Sequence, residues 1–320
     1  MSDPAVTFQE TVIESSRLAC HATTPNRQNR LTVQAGPLDA RVVAASEAGL
    51  LPAEGAAALL EQRFGWDVVA CQGLWAFGPP RAAAEPGRLV GTCALLDDTL
   101  TDEDSPAFSA LSQARASIVQ GFQWACKEGP LTEDPLRGVA FRLVGAQLAA
   151  EPFQRGGGQL IPTARRVLYS AMLTASPRLM EPVYRLEVQC PPACAAAVAA
   201  VVARRRGHVV AEQPIGGTPL VAVTAHVPVI DSFGLETDLR SHSQGLAFGM
   251  QTFDHWALVP GDPLDRSIVL RPLEPAPVPH LAREFLVKTR RRKGLSDDVS
   301  IAHFFDADDE KAAIVQQLLQ

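Results

Sequence analysis

The stretch Tyr184-Arg185-Leu186-Glu187-Val188 decides the fold of the second half of the chain. Apolar and charged side chains alternate in it, which is typical of a strand with one buried face. Outward from this stretch the sequence predicts a helix from Ala193 to Arg205, a strand beginning at Val209 and Val210, a strand from Leu220 to Val229, a short helix from Phe233 to Arg240, and a strand from Phe248 to Val259. The order β-α-β-β-α-β within about 80 residues predicts a ferredoxin-like domain.

Strands and helices also alternate in the first 180 residues. We expect strands between Val6 and Ala35, a helix from Ala45 to Phe64 that breaks at Pro52, a helix through Phe108, Ile118 and Phe122 that stops near Gly129, a strand at Val139–Leu143, and a helix from about Pro162 to Ala175. Residues 81–106 have the composition of a loop. The chain is therefore expected to be α+β throughout.

The proline-dense segment Arg271–Pro279 predicts an extended connection after the ferredoxin-like domain. A helix is expected to begin at Leu281, and a last amphipathic helix carries Ile314 and Leu318.

Composition limits the function classes. The 320 residues are enough for two domains. The net charge of −6 argues against a bulk nucleic-acid binder, so that any RNA contact must come from a local basic patch. No apolar run reaches the roughly 18 residues of a membrane span, and Met1–Thr7 lacks the layout of a signal peptide. Six scattered cysteines indicate reduced thiols in a cytosolic or nuclear compartment.

The glycine-rich stretch Gln154-Arg155-Gly156-Gly157-Gly158 precedes a predicted helix. A helix N-terminus can hold an anion, but a nucleotide-binding P-loop also needs Lys-Ser/Thr after the glycines, and that pair is missing here. Gly-x-Ser-x-Gly and His-Glu-x-x-His motifs are absent as well. Two interpretations remain: an ordinary exposed turn, or a contact loop that touches a phosphate backbone.

Metal and acid–base chemistry find little support in the sequence. His226 and His255, the latter beside Asp254, have no partner at metal-binding spacing and are interpreted as structural histidines. Cys190 and Cys194 lack a second pair. The irregularly spaced carboxylates are expected to form a solvated acidic loop: Asp97, Asp98, Asp102, Glu103 and Asp104. We therefore predict no catalytic, cofactor-binding or metal-binding residue in this chain.

Two basic runs are candidate contacts. Arg204, Arg205 and Arg206 end a predicted helix, where cations complement the helix dipole, so capping and RNA contact are both open. The run from Arg290 through Arg291 and Arg292 to Lys293 is expected to lie outside both cores. It is interpreted as a solvated face that could also bind phosphate or an acidic partner.

Several long motifs occur in order along the chain: Gly121–Trp124, Lys127–Leu131, Arg155–Arg166, Pro177–Pro182, Arg204–Val209, Asp231–Gly234 and Phe253–Trp256. Together they resemble the C-terminal half of the elongation factor 2 superfamily. Further motifs resemble the spliceosomal branch of that superfamily: Thr11–Glu14, Thr24–Asn26, Ser267–Pro275, Pro279–Phe285 and Lys288–Ser296.

The resemblance implies a ribosomal-protein-S5-like domain IV at residues 1–180, completed by residues 265–320, and a ferredoxin-like domain V at residues 181–264. It implies a non-catalytic interaction module of a nuclear pre-mRNA splicing factor that regulates spliceosome activation and disassembly. GTP and magnesium would bind to an N-terminal half outside this chain. The implied partners are the large scaffold protein of the U5 particle, a spliceosomal RNA helicase and small nuclear RNA, with neither a membrane nor a small-molecule substrate.

Two departures from the superfamily bear on these expectations. Gln154 stands where the resemblance to the translation factor implies a histidine modified to diphthamide, and Arg81–Leu96 is longer than the usual loop. Two alternatives stay open: the C-terminal domains of a ribosomal translocase, and a stand-alone RNA-binding module. The second would need several exposed aromatic residues on its sheet, and Tyr184 is the one aromatic in its decisive strand.

Overall fold

The computed structural model describes residues 5–52, 55–79, 91–99, 105–271, 274–299 and 303–305. The predicted last helix, the acidic residues Asp102–Asp104 and most of the long segment that begins at Arg81 lie outside the described residues.

The strands are β1 Gln9–Val12, β2 Cys20–Thr23, β3 Arg30–Pro37, β4 Leu74–Gly78, β5 Cys93–Asp97, β6 Val139–Gln147, β7 Pro177–Cys190, β8 His208–Pro214, β9 Val221–Pro228 and β10 Phe248–Leu258. The helices are α1 Ala40–Glu47, α2 Ala56–Phe64, α3 Val68–Gln72, α4 Pro106–Lys127, α5 Gly157–Leu173, α6 Pro192–Arg204, α7 Leu235–His242 and α8 Leu281–Arg292. Short 3-10 turns occur at Pro152–Arg155, Val229–Asp231 and Val278–His280. None of the described helices is both long and apolar enough to cross a bilayer.

The chain divides into two compact units. The small unit comprises residues 5–8 and Met180–Val259, and the large unit comprises Gln9–Leu179 and the described residues from Pro260 onward. The segment Met180–Val259, which forms nearly all of the small unit, is thus inserted in the sequence of the large one.

The large unit contains a sheet in the order β2-β3-β6-β5-β4, antiparallel except for the parallel pair β5–β6. Its main core packs α4 and α5 against this sheet, with Phe122 and Phe141 in edge-to-face contact at its centre. A second core lies under α1 and α2 around Leu51 and Leu60.

The small unit confirms the ferredoxin-like prediction. Its antiparallel strands run in the order β10-β7-β9-β8, with β7 at the centre. Leu186 and Val188 of β7 are fully buried against α6 and α7, whereas Arg185 and Glu187 lie on the opposite face. The alternation within β7 therefore reports the buried face correctly.

Two sequence expectations in the large unit are wrong. Helix α5 begins at Gly157, so Pro162 lies inside it. The missing amide of Pro162 deprives only the Gly158 carbonyl of its helical partner, and Gly158 is exposed to water. Strand β5 lies in the segment expected to be a loop, and its first four residues are all buried. Burial on both faces removes the alternation on which the prediction depended.

The boundaries around the first helix also differ from the prediction. The expected break at Pro52 is confirmed, because α1 ends before this residue and α2 begins after it, but α1 begins five residues before Ala45. Asp39 caps α1 by accepting a hydrogen bond from the Arg41 amide at 2.8 Å, a local signal the apolar pattern does not contain.

Candidate functional site

The glycine-rich stretch belongs to a loop that is fixed by two asparagines. We call Glu151–Gly158 the tip loop. The side-chain amides of Asn26 and Asn29, from the β2–β3 turn, donate to the Gln154 carbonyl at 2.8 and 2.9 Å. Asn29 also accepts from the Ala149 amide at 3.0 Å. The backbone of the tip loop is therefore held in place by a neighbouring turn of the same unit.

Arg155 is turned toward its own unit. Its guanidinium donates to the Ala149 carbonyl at 2.9 Å and to the Gln113 side chain. Of the five predicted contact residues, Arg155 thus holds the loop, while the Gln154 carbonyl is occupied by the asparagines.

Neither steric crowding nor a left-handed backbone requires glycine at any of the three glycine positions of the tip loop. None of them has a φ in the left-handed region. A Cβ at Gly158 would meet nothing within 4 Å, one at Gly156 would lie 3.8 Å from the Phe153 carbonyl, and one at Gly157 would make ordinary contacts at 3.4 Å. Gly157 and Gly158 lie in the first turn of α5, where glycine costs up to about 0.5–1 kcal/mol relative to alanine, whereas Gly156 is the N-cap of that helix, a position that favours glycine over alanine. No steric or backbone requirement offsets the cost at Gly157 and Gly158.

Phe153 is the residue that sequence reasoning missed. Its side chain is 93% exposed, the most exposed large apolar side chain among the described residues. The sequence feature that could have identified it is an aromatic residue between Pro152 and Gln154 in an otherwise polar loop. An exposed ring beside three glycines is a surface on which another molecule can stack and come close to the backbone.

The first basic run is mostly engaged inside the small unit. Arg206 donates to both oxygens of buried Glu181 at 2.9 Å and to Asp231 at 2.5 Å. Arg205 donates to Asp238 and to the Asp231 and Phe233 carbonyls. Arg206 and Arg205 therefore stabilise the fold.

The remaining arginine of this run is more exposed. The Arg204 guanidinium lies 3.2 Å from the His242 ring at the surface. RNA contact by the run remains a prediction, and Arg204 is the residue best placed for it.

The second basic run is partly buried, so the expectation that all of it lies outside the cores is wrong. Arg290 is 8% exposed and donates to the Leu131 and Ser296 carbonyls. Lys293 donates to the Thr132 carbonyl and to Asp134, both at 2.7 Å. Burial lowers the pKa of Arg290 from its ordinary value.

The other two members of the second run lie at the surface. Arg291 is exposed and paired with Asp297 at 2.6 Å, and Arg292 is exposed. The run divides into buried and exposed residues because Arg290 lies on the buried face of α8. Which residues of a helix face the core depends on the helical period, and four consecutive basic residues do not reveal it.

The loop that receives these cations also surrounds a buried carboxylate, Glu10 of β1. Glu10 accepts hydrogen bonds from the amides of Leu131 at 2.9 Å, Thr132 at 2.8 Å and Asp134 at 3.3 Å. Desolvation raises the pKa of Glu10 to about 7, although the amide donors favour its ionised form. A lone glutamate in a strand pattern gave no sequence signal for this arrangement.

The histidines are not isolated as predicted. Ligand atoms of His226, Asp254 and His255 lie within 4.8 Å of one another. The expectation of no partner at metal-binding spacing is wrong because strand pairing unites residues that sequence distance separates. The six cysteines, all among the described residues, form no disulfide bond, and five of them are buried.

Comparison with known families and proteins agrees with this architecture. A family model described as elongation factor G, domain IV, matches residues 42–176, and one described as elongation factor G C-terminus matches residues 178–267. The chain is 52% identical over 310 residues to a "109 kDa U5 small nuclear ribonucleoprotein component" of Arabidopsis thaliana, covering 96% of this chain and 31% of that protein.

Two further relatives also match 96% of this chain, which covers 30% of their own length. A "110 kDa U5 small nuclear ribonucleoprotein component" of the same plant is 52% identical, and a "pre-mRNA-splicing factor" of Schizosaccharomyces pombe is 48% identical, each over 311 residues. The chain spans about a third of the length of these relatives. The two matched models follow one another along most of the chain, and the small unit has the predicted ferredoxin-like topology. The chain therefore belongs to the elongation factor G-like family, of which it carries domain IV and the C-terminal domain.

Proposed function

We propose that this chain is the interaction module of a nuclear pre-mRNA splicing factor of the U5 particle. Its identity of 48–52% to two U5 components and a splicing factor supports this assignment. In this proposal residues 1–180 with 265–320 act as domain IV and residues 181–264 as domain V. In the same proposal, GTP and magnesium bind to a domain outside this chain, and this chain itself contributes no catalytic residue.

The tip loop is the observation that carries the proposal. Three glycines leave the backbone open where no φ and no neighbour requires it, and Phe153 is presented beside them. Such a surface is retained at a cost in stability when another molecule must approach the backbone closely. The proposed occupants are the large scaffold protein, the RNA helicase or small nuclear RNA of the U5 particle.

A ribosomal translocase is the second candidate, because the matched family models are those of elongation factor G. Gln154 argues against it, since the diphthamide-bearing histidine of the translation factor cannot be formed from glutamine. Incubation of the tagged chain with nuclear extract and with purified ribosomes distinguishes the two. We expect co-purification of U5 proteins, whereas selective ribosome binding would overturn the proposal.

Alanine at Gly157 and Gly158 tests the role of the tip loop. We expect each substitution to raise the stability of the large unit by about 0.5–1 kcal/mol, since alanine favours the first turn of α5. We expect the double variant to recover less of the U5 proteins in the same experiment. The measurements are urea unfolding and quantitative pull-down.

Gly216→Ala is the matched control, because Gly216 is exposed, has no left-handed φ and has open space at its Cβ. It should bind as the unchanged chain does. Full recovery of U5 proteins by the stabilised double variant would exclude the tip loop as the contact surface.

A further inference from the structure

Three imidazole rings and a carboxylate lie together on the face of the small unit's sheet that α6 and α7 do not cover. His208 and His226 are paired residues of β8 and β9, with ring centroids 5.3 Å apart. The His255 ring of β10 lies 5.2 Å from that of His226. The Asp254 Oδ2 atom lies 2.6 Å from His255 Nδ1 and 3.6 Å from His226 Nε2.

An irregularity in β10 makes this arrangement possible. Successive residues of a regular strand point to opposite faces, so adjacent Asp254 and His255 could not both reach His226. The register between β10 and β7 shifts between Phe253 and His255, which leaves Asp254 as an additional residue. A bulge of this kind redirects a side chain and is frequent beside functional sites.

We propose that His226, Asp254 and His255 form a binding site for a divalent transition-metal ion of the zinc class. Two imidazoles and one carboxylate are a donor set that such ions favour. Metal–ligand bonds of about 2.0–2.2 Å place ligand atoms of a tetrahedral site roughly 3.3 Å apart. The present atoms lie within 4.8 Å of one another, so the three ligand atoms must draw closer together when the ion binds.

The electrostatic surroundings suit a cation. The Asp254 carboxylate lies beside both imidazoles, with its Oδ2 atom close to His226 Nε2 and to His255 Nδ1. The guanidinium of Arg185, the register partner of His226, is paired with Glu187 at 2.8 Å. Three protein ligands leave a fourth position for water or for His208.

Titration of the purified chain with Co²⁺ and Zn²⁺ tests the proposal. Co²⁺ should produce saturable d–d absorption bands at one ion per chain, and equimolar Zn²⁺ should abolish them. We expect His226→Ala and His255→Ala to weaken Co²⁺ binding at least roughly tenfold, and Asp254→Asn to weaken it while preserving the size of the side chain. All three side chains are partly solvent-exposed, so the variants should keep the circular dichroism spectrum of the unchanged chain.

Two controls separate this site from others. His242→Ala removes an exposed histidine at the end of α7, and Cys194→Ser removes the one thiol among the six that is not buried. Both should leave Co²⁺ binding unchanged. Equal binding by the triad variants would mean an adventitious ion only, and a thiolate charge-transfer band would place the ion on a cysteine; either result overturns the proposal.

Discussion

Replacement of Arg206 by methionine is expected to lower the free energy of unfolding of the small unit by about 3–5 kcal/mol. Glu181 is 3% exposed, and both of its carboxylate oxygens accept hydrogen bonds from Arg206. Desolvation raises the pKa of Glu181, although the hydrogen bonds from the Arg206 guanidinium act to lower it. Without Arg206 a buried negative charge remains without its cation, which is the costly way to break a buried pair. Urea unfolding followed by circular dichroism measures the loss.

A second substitution identifies the cause of that loss. Glu181→Gln in the Arg206→Met background removes the stranded charge and should restore part of the stability. Arg240→Met is the matched control, because Arg240 and its carboxylate partner Glu236 are 64% and 61% exposed and an exposed pair contributes about 1 kcal/mol or less. A double variant no more stable than Arg206→Met would contradict the charge argument.

Replacement of Glu10 by alanine is expected to lower the stability of the large unit by more than about 3 kcal/mol. The substitution leaves the buried amides of Leu131, Thr132 and Asp134 without an acceptor, and each unsatisfied donor costs about 1–3 kcal/mol. It also leaves an empty volume in a closely packed interior. Chemical denaturation of the variant and the unchanged chain gives the difference.

The same residue predicts a pH dependence. The pKa of Glu10 in the folded state is about 7, above its ordinary value of 4.5. The folded protein therefore binds the proton more tightly, so this contribution to stability is complete below pH 4.5 and is lost as the pH rises through about 7. The difference between these two pKa values corresponds to a change of about 3 kcal/mol in the free energy of unfolding.

Glu10→Gln is the control for the pH dependence, since it removes the titration and keeps one acceptor oxygen. Unfolding at pH 5 and at pH 8 should show a smaller difference for Glu10→Gln than for the unchanged chain. An identical difference in both proteins would assign the pH dependence to other groups.

The sequence was most informative where an alternation of apolar and charged residues marks the buried face of a strand. Leu186 and Val188 alternate with charged residues, and the strand they predict is the centre of the small unit's sheet. The segment containing β5 shows the converse, because residues buried on both faces do not alternate and resemble a loop or a helix. Strand order followed from the number and sequence of elements, since few topologies satisfy the rules of sheet connection.

The candidate sites were harder to predict because they depend on contacts distant in the sequence. The tip loop was identifiable from its glycines, but its attachment by Asn26 and Asn29 depends on contacts across more than 120 residues. The proposed metal site of His226, Asp254 and His255 requires strand pairing together with a bulge in β10. The structural role of Arg290 depends on the direction of one turn of α8. No spacing rule contains any of these three facts.

The loop Leu131–Asp134 has a consequence for the order in which the protein becomes complete during synthesis. Its partners are Glu10, made early, and Arg290 and Lys293, made about 160 residues after the loop itself. The small unit between them draws almost all its residues from the continuous segment Met180–Val259. On a ribosome that adds residues from the N-terminus, the inserted unit has its strands and helices available first, and the large unit waits for α8. Until then Glu10 and its loop lack the two cations that arrive last.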